Sequence, residues 1–296
     1  MHTAPHAKEK TSGRKKIGLA LGSGGARGLA HIGVIKYLEL SGIPIDYIAG
    51  TSMGALVGGF YAATEDIRAL EDAFLRVKRK DMVPIGSMMR KRDGLMFRDP
   101  DLVRLLEERL KNATVEGCKI PFRAIATDVK NGDEVVLKAG HLEEAIRASV
   151  ALPVIFHPVP HAGRLLMDGG FSNPIPADVV RAMGADFVVA VDVSSEWLDV
   201  SDGNVNIVDL YRALPNVISA LEYQLSRRIL KEADLVIRPP VLHHQWFDFH
   251  RAEEIIDAGR DEMHLHIKEV RAHAKYPAPP KTFAEKFFDF LADTGT

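Results

Sequence analysis

The chain has 296 residues, 46% of them hydrophobic and 26% charged, with a formal net charge of −2. That size suits one large α/β domain or two modest ones, and the near-neutral balance argues against recruitment by nucleic acid or by anionic lipid through charge alone. One cysteine rules out an internal disulfide and fits a reducing compartment, and no apolar run approaches the ~18 residues of a membrane-spanning helix.

Met1 to Lys16 is polar and basic without an apolar stretch, which reads as a mobile tail and, as it stands, not as a secretory signal. Ile17-Gly18-Leu19-Ala20-Leu21 is a short apolar strand. It runs into the glycine-rich Gly22-Ser23-Gly24-Gly25-Ala26-Arg27-Gly28. Leu29, Ile32, Ile35 and Leu38 then recur at helical spacing up to Gly42. A glycine turn between strand and helix can bind an anion with its amides. A dinucleotide site fails in detail, because G-x-G-x-x-G counted from Gly22 ends on Arg27. Asp46, near the place of a ribose-binding acid, precedes a second glycine turn, and no G-K-[ST] marks a P-loop. His31 follows the first turn on a helix face.

Asp46-Tyr47-Ile48-Ala49 predicts the second strand, followed by Gly50-Thr51-Ser52-Met53-Gly54 and a small, apolar helix over Ala55 to Ala63. Strand, tight turn and helix with a serine at the apex is the form of a nucleophile elbow. A hydroxyl there clears the backbone and sits at a helix N-terminus, where partial positive charge favours an oxyanion. The five-residue pattern alone is weak in a chain this rich in glycine; the predicted context gives it weight.

Thr64-Glu65-Asp66 caps a third helix that Lys78-Arg79-Lys80 closes. Met82 to Phe97 holds Met82, Met88, Met89 and Met96 without a period, which fits either a flap over an apolar groove or a loop tucked on the core. Asp99-Pro100 opens a helix with a Leu102, Leu105, Leu106 and Leu110 stripe. Cys118, before a strand and without an activating neighbour, reads as structural. Pro121 to Val129 is a strand, Asn131-Gly132 a hairpin turn, and Glu134 to Leu137 the return. Leu142 to Ser149 is a short helix. Val154-Ile155-Phe156 and Arg164 to Met167 read as strands around a turn at His161-Ala162-Gly163, and the second delivers Asp168-Gly169-Gly170. In isolation Asp-Gly-Gly is a turn; at a strand end its carboxylate can also face a cleft.

Pro176 to Met183 is helical, and Phe187 to Val193 is a continuous apolar strand of the kind buried in a parallel sheet. A polar loop over Ser194 to Asn206 precedes a long helix, Ile207 to Lys231, with Leu210, Leu214, Val217, Leu221 and Leu225 as its apolar positions. Ala233 to Arg238 is the last strand and His250 to Ala274 the last long helix. After a Pro-rich stretch, Thr282 to Ala292 carries phenylalanines mainly on one helical face, suited to docking on the body, on another subunit or on a membrane interface. Strands alternating with helices argue for a parallel or mixed sheet between helical layers. A Ser-His-Asp triad is awkward on this frame. Only two strands precede Ser52, and the histidines after Asp168 (His243, His244, His250, His264, His266 and His273) lie near the C-terminus.

Three segments, in order, resemble the patatin-like phospholipases: Ser23 to Val34, Gly50 to Gly54, and Asp168-Gly169-Gly170. Ala148-Ser149-Val150-Ala151-Leu152-Pro153 and Asn173-Pro174 look like that family's intermediate and trailing blocks. The resemblance covers about residues 17–195 and, more loosely, reaches Arg238 and Gly259 in the manner of compact bacterial members. It implies a three-layer α/β/α fold with a central, mostly parallel sheet. The domain would span 17–274, between the 1–16 tail and a 275–296 Pro-rich linker and amphipathic segment. It implies a Ser–Asp dyad without histidine: Ser52 as nucleophile, Asp168 as general base, and oxyanion donors at Gly24 and Gly25. Arg27, Gly28, Gly50, Gly54, Gly169 and Gly170 would support them, with no metal or cofactor. Ser23 departs from the pattern, standing where many members have glycine. The expected substrate is a phospholipid or related acyl ester, met in the cytoplasm or peripherally at a membrane, with no nucleic-acid partner. Two rivals share the fold: an acyltransferase using the same acyl-enzyme, and a regulatory protein that binds lipid or a partner with little turnover.

Overall fold

The computed structural model describes residues 13–79, 100–153, 155–194, 218 and 220–276. The methionine-rich stretch, most of the polar loop, the positions Leu210, Leu214 and Val217, and the phenylalanine-rich end lie outside the described residues.

Strands β1 (Ile17–Leu21), β2 (Tyr47–Thr51), β3 (Phe122–Asp128), β4 (Glu134–Leu137), β5 (Val159–His161), β6 (Arg164–Asp168), β7 (Phe187–Val191) and β8 (Leu235–Ile237) form one sheet. Its order is β5-β6-β3-β2-β1-β7-β8, with β4 paired to β3. The run β3-β2-β1-β7-β8 is parallel, while β4, β5 and β6 enter antiparallel. The fold is therefore α/β with a mixed, mostly parallel sheet. β1 and β7 are buried along their whole length, as expected of central strands covered on both faces.

Alternate residues of the central strands feed two cores. Leu19, Leu21, Ile48 and Phe122 face one layer, built from α1 (Ala30–Leu40), α2 (Met53–Thr64), α3 (Ile67–Arg76) and the long C-terminal helix Ala252–Ala274. Ala20, Ala49, Ile125 and Val188 face the other, where a short helix, Ala177–Ala182, contributes Val179 and Val180. Burying each large side chain contributes roughly 1.5–3 kcal/mol. In chain order the remaining helices are α4 (Pro100–Leu110), α5 (Leu142–Ser149), α6 (Ala177–Ala182), α7 (helical residues 218 and 220–229) and α8 (Ala252–Ala274).

One register detail positions the site. On β3, Ile125 pairs with Thr51 of the parallel β2, and the next residue, Ala126, pairs with Asp168 of the antiparallel β6. Since β4 takes the other edge of β3, β6 takes over the edge where β2 stops. The residue after β2 and the last residue of β6 therefore meet.

Several expectations shift. Arg14 to Lys16, expected with the tail, are held by the body: Arg14 forks onto Asp46 at 2.6 Å, and Lys15 N–H donates to Ala274 O. Both Asp46 oxygens are thereby engaged, one also accepting from Ile17 N–H. α3 ends at Arg76, short of the basic residues, and its cap is Asp66, which accepts from Ala69 N–H. Ile155 and Phe156 form a turn, not a strand; their apolar side chains pack beside Leu152 and Trp246, and the strand falls at Val159–His161. On α7 Leu221 is 53% exposed, while Ile218, Glu222 and Ser226 face inward.

Candidate active site

Ser52 follows β2 and caps α2 with φ 56° and ψ −121°, a left-handed conformation that a residue with a Cβ adopts at a cost of about 1–3 kcal/mol. The surrounding packing enforces it. A Cβ on Gly50 would run into the Gly54 carbonyl, and one on Gly54 into the Leu21 carbonyl, so the turn closes only with glycine at both places. The Ser52 amide donates to Ser149 Oγ at 2.9 Å, and Thr51 Oγ1 donates to Asn173 O at 2.7 Å. The strained serine is thus held from α5 and from the segment after β6.

Ser52 Oγ donates to Asp168 Oδ2 at 2.7 Å. Asp168 Oδ1 accepts from the Gly170 amide at 2.8 Å, and Thr127 Oγ1 donates to the Asp168 carbonyl at 2.9 Å. Asp168 is 2% exposed. Burial pushes its carboxyl up to about 7, against the hydrogen bonds from Ser52 and Gly170 that favour the ionised form. An aspartate of that basicity can exchange a proton near neutrality, which an ordinary one cannot. Gly169 presses on the Ile125 carbonyl, where a side chain would not fit.

The glycine loop lies beside this pair. Ser23 N–H donates to Pro174 O and Ala26 N–H to Trp246 O, both at 2.9 Å. Gly24 (φ 156°) and Gly25 (φ 58°) lie between them at the start of the 3-10 turn Gly25–Leu29. Amides that open a helical turn have no preceding carbonyl of that turn to bond, and are left to meet an incoming acceptor. Gly28 abuts the Met53 side chain, which brings the loop against the first turn of α2. Arg27 points inward: it is buried, and its Nε donates to His244 O at 2.8 Å. His31 bonds the Gly22 carbonyl through Nε2 at 2.8 Å, and burial lowers its ring to about 4, so it is a neutral donor bracing the loop.

Two further side chains at the site were not singled out from sequence. Ser149 is wholly buried at the end of α5; it lies in the Ala148–Pro153 block of the resemblance, but nothing there marked its hydroxyl as part of the site. Glu222 of α7 is 2% exposed; its Oε1 accepts from Ser23 Oγ at 2.7 Å, and among the described residues its Oε2 is buried without a partner. Burial, then the neighbouring Asp168, pushes the Glu222 carboxyl up to about 8. An apolar cluster of Leu152, Ile218 and Trp246, with Phe171 packed on it, borders the site. Trp246 lies against Gly25, and Phe171 comes directly after Gly170. Among the described residues no group of three or more His, Cys, Asp or Glu could hold a metal ion, and no helix is long and apolar enough to cross a membrane.

A family model described as patatin-like phospholipase matches residues 19–181. The chain is 34% identical over 293 residues to patatin-like phospholipase domain-containing protein ZK370.4 of Caenorhabditis elegans, covering 86% of this chain and 21% of that one. It is 29% identical over 307 residues to lysophospholipase NTE1 of Kluyveromyces lactis, covering 95% and 21%. The chain thus spans about a fifth of the length of these curated relatives. A crystal structure of VipD from Legionella pneumophila superposes with a TM-score of 0.47 at 13% identity, covering 86% of this chain and 67% of that one.

Proposed function

From the premise that the chain belongs to the patatin-like phospholipase family, we propose that it hydrolyses carboxylic esters of phospholipids or related acyl lipids, with Ser52 as nucleophile and Asp168 as general base. The observation that carries this reading is the 2.7 Å hydrogen bond from Ser52 Oγ to a buried, basic Asp168.

In this mechanism Ser52 Oγ attacks the ester carbonyl carbon while Asp168 Oδ2 takes the hydroxyl proton. The carbonyl oxygen becomes an oxyanion facing the Gly24 and Gly25 amides and the N-terminus of α2. Preorganised donors of this kind are each worth about 10²–10³ in rate. The tetrahedral adduct collapses, the C–O bond to the alcohol breaks, and Asp168 returns its proton to the departing oxygen. An acyl group is left on Ser52. Water then attacks the acyl carbon, Asp168 takes a proton from it, and collapse releases the fatty acid as the proton returns to Ser52 Oγ. The cluster around Leu152, Trp246 and Phe171 supports an apolar acyl chain next to the reacting carbon. Because one similar protein is named a lysophospholipase, a single-chain phospholipid is the first substrate to try.

The test is fatty-acid release from single-chain and two-chain phospholipids by the wild type, Ser52→Ala and Asp168→Asn. Each substitution should lower release by about 10³-fold or more. Wild-type turnover in either variant overturns the assignment.

A further inference from the structure

The site holds a second buried carboxyl that the mechanism above does not use. Glu222 reaches from α7 across 199 residues of sequence to accept the Ser23 hydroxyl, and Ser23 is the residue immediately before Gly24. Its Oε1 fills the space that a side chain on Gly170 would need, so it also borders the turn that carries Asp168. The helix around it is not selected for a polar face inward by solvent, since Leu221 faces out and Glu222 in. Among the described residues Oε2 has no partner, so burying this carboxyl costs stability. Glu222 therefore touches both halves of the site: the loop with the Gly24 and Gly25 amides and the turn after Asp168.

We propose that Glu222 is a positioning residue of the hydrolytic reaction, fixing the glycine loop through the Ser23 hydroxyl and bordering the turn after Asp168. This rests on the hydrolase reading given above. The charged and titratable groups facing Glu222 are Asp168, Arg27 and Asp192; the two carboxylates oppose its ionisation and the guanidinium favours it. With Asp168 ionised to accept the serine proton, Glu222 keeps its own proton longest. Once it ionises, a negative charge is bonded to the residue preceding Gly24, on the loop that must receive the oxyanion. The reaction then slows. The pair thus defines a window in which one carboxyl is charged and the other is not.

The experiment follows the rate at which a fluorophosphonate labels Ser52 and, in parallel, hydrolysis of p-nitrophenyl butyrate, in the full chain from pH ~5 to ~10. Wild-type labelling should fall above about pH 8, by roughly tenfold per pH unit. Glu222→Gln keeps an acceptor for Ser23 but cannot ionise, and should lose that alkaline fall. Ser23→Ala removes the donor that stabilises the carboxylate and should move the fall to higher pH. At neutral pH, Ser23→Ala and Glu222→Ala should each slow labelling by about tenfold, and the double variant by no more than either alone, because they remove one shared contact. Should Glu222→Ala fail to fold, the Gln and Ser23 variants still decide the matter. An unchanged alkaline fall in Glu222→Gln, or losses that multiply in the double variant, overturns the proposal. Labelling without turnover of any ester rejects hydrolysis yet leaves Glu222 to be judged by the labelling profile; no labelling of Ser52 overturns both.

Discussion

The backbone N–H of Ser52 donates to the hydroxyl of Ser149 at 2.9 Å, linking the left-handed turn to the end of a helix 97 residues away. A strained conformation persists only where its surroundings over-determine it, and this bond is one of the restraints. Ser149→Ala leaves a buried amide without its acceptor, at about 1–3 kcal/mol. Thermal unfolding should fall by several degrees and Ser52 labelling by roughly tenfold, as the hydroxyl loses its alignment with Asp168. Equal melting and equal labelling in wild type and variant would show that the turn does not depend on Ser149.

Under the proposed mechanism, Asp168 should couple activity and stability to pH in opposite directions. Its carboxyl is raised from an ordinary 3.8 to about 7 by burial, so the folded chain holds a proton that the unfolded chain releases between those values. Stability therefore falls as pH rises through that window and is flat above it, by at most about 4 kcal/mol. Glu222, raised from 4.5 to about 8, acts in the same direction. If Asp168 is the base, as proposed, hydrolysis should rise over the same range, because the base must be ionised. Asp168→Asn should then melt higher than wild type at pH ~8 and alike at pH ~4, with its loss of activity read at pH ~8, where the wild type is active. A variant less stable than wild type at pH ~8 contradicts the burial argument.

How much of this was legible in the sequence follows from how local each signal is. The glycine loop, the elbow and the Asp-Gly-Gly turn are each contained within a few residues, and hairpin chemistry at Asn131-Gly132 correctly returns β4 onto β3. Even the distant meeting of Ser52 and Asp168 has a local trace, because one directly follows a strand and the other ends one. Glu222 has none. Its hydrogen-bond partner is Ser23, 199 residues away, and a rule that places apolar residues inward picks Leu221 instead, the wrong face of α7. The same rule makes Val154-Ile155-Phe156 a strand. There the apolar side chains of Ile155 and Phe156 are satisfied by the cluster at Leu152 and Trp246, so no ladder is needed to bury them.

Helices α1 and α8 cross where glycines remove the side chains. A Cβ on Gly33 would collide with the Ile256 carbonyl, and one on Gly259 with the Ala30 carbonyl, so the two backbones lie in direct contact. Alanine would gain up to ~1 kcal/mol of helix propensity at either place, but overpacking costs about 1–3 kcal/mol, and here the obstacle is backbone. Gly33→Ala and Gly259→Ala should both lower the melting temperature. They should also slow Ser52 labelling, since α1 continues directly from the turn Gly25–Leu29. A melting temperature at or above wild type for either would mean that the helices can separate without loss.

Gly54 and Gly170 both admit no side chain, yet alanine should act differently at the two. At Gly54 the obstacle is the Leu21 carbonyl and the Gly22 carbonyl behind it, which are fixed in the sheet and the loop. Neither can yield without opening the elbow, so Gly54→Ala should lose labelling and several degrees of stability together. At Gly170 the obstacle is the far end of the Glu222 side chain, with Ser23 Oγ at 3.2 Å. A rotamer change of Glu222 can make that room, and it breaks the Ser23 bond in doing so. Gly170→Ala should therefore fold, keep the Ser52–Asp168 pair and its labelling, and reproduce the pH profile of Ser23→Ala, with the alkaline fall moved to higher pH. Matching behaviour of the two glycine variants, both unfolded or both silent, would show that Glu222 is not the group that yields.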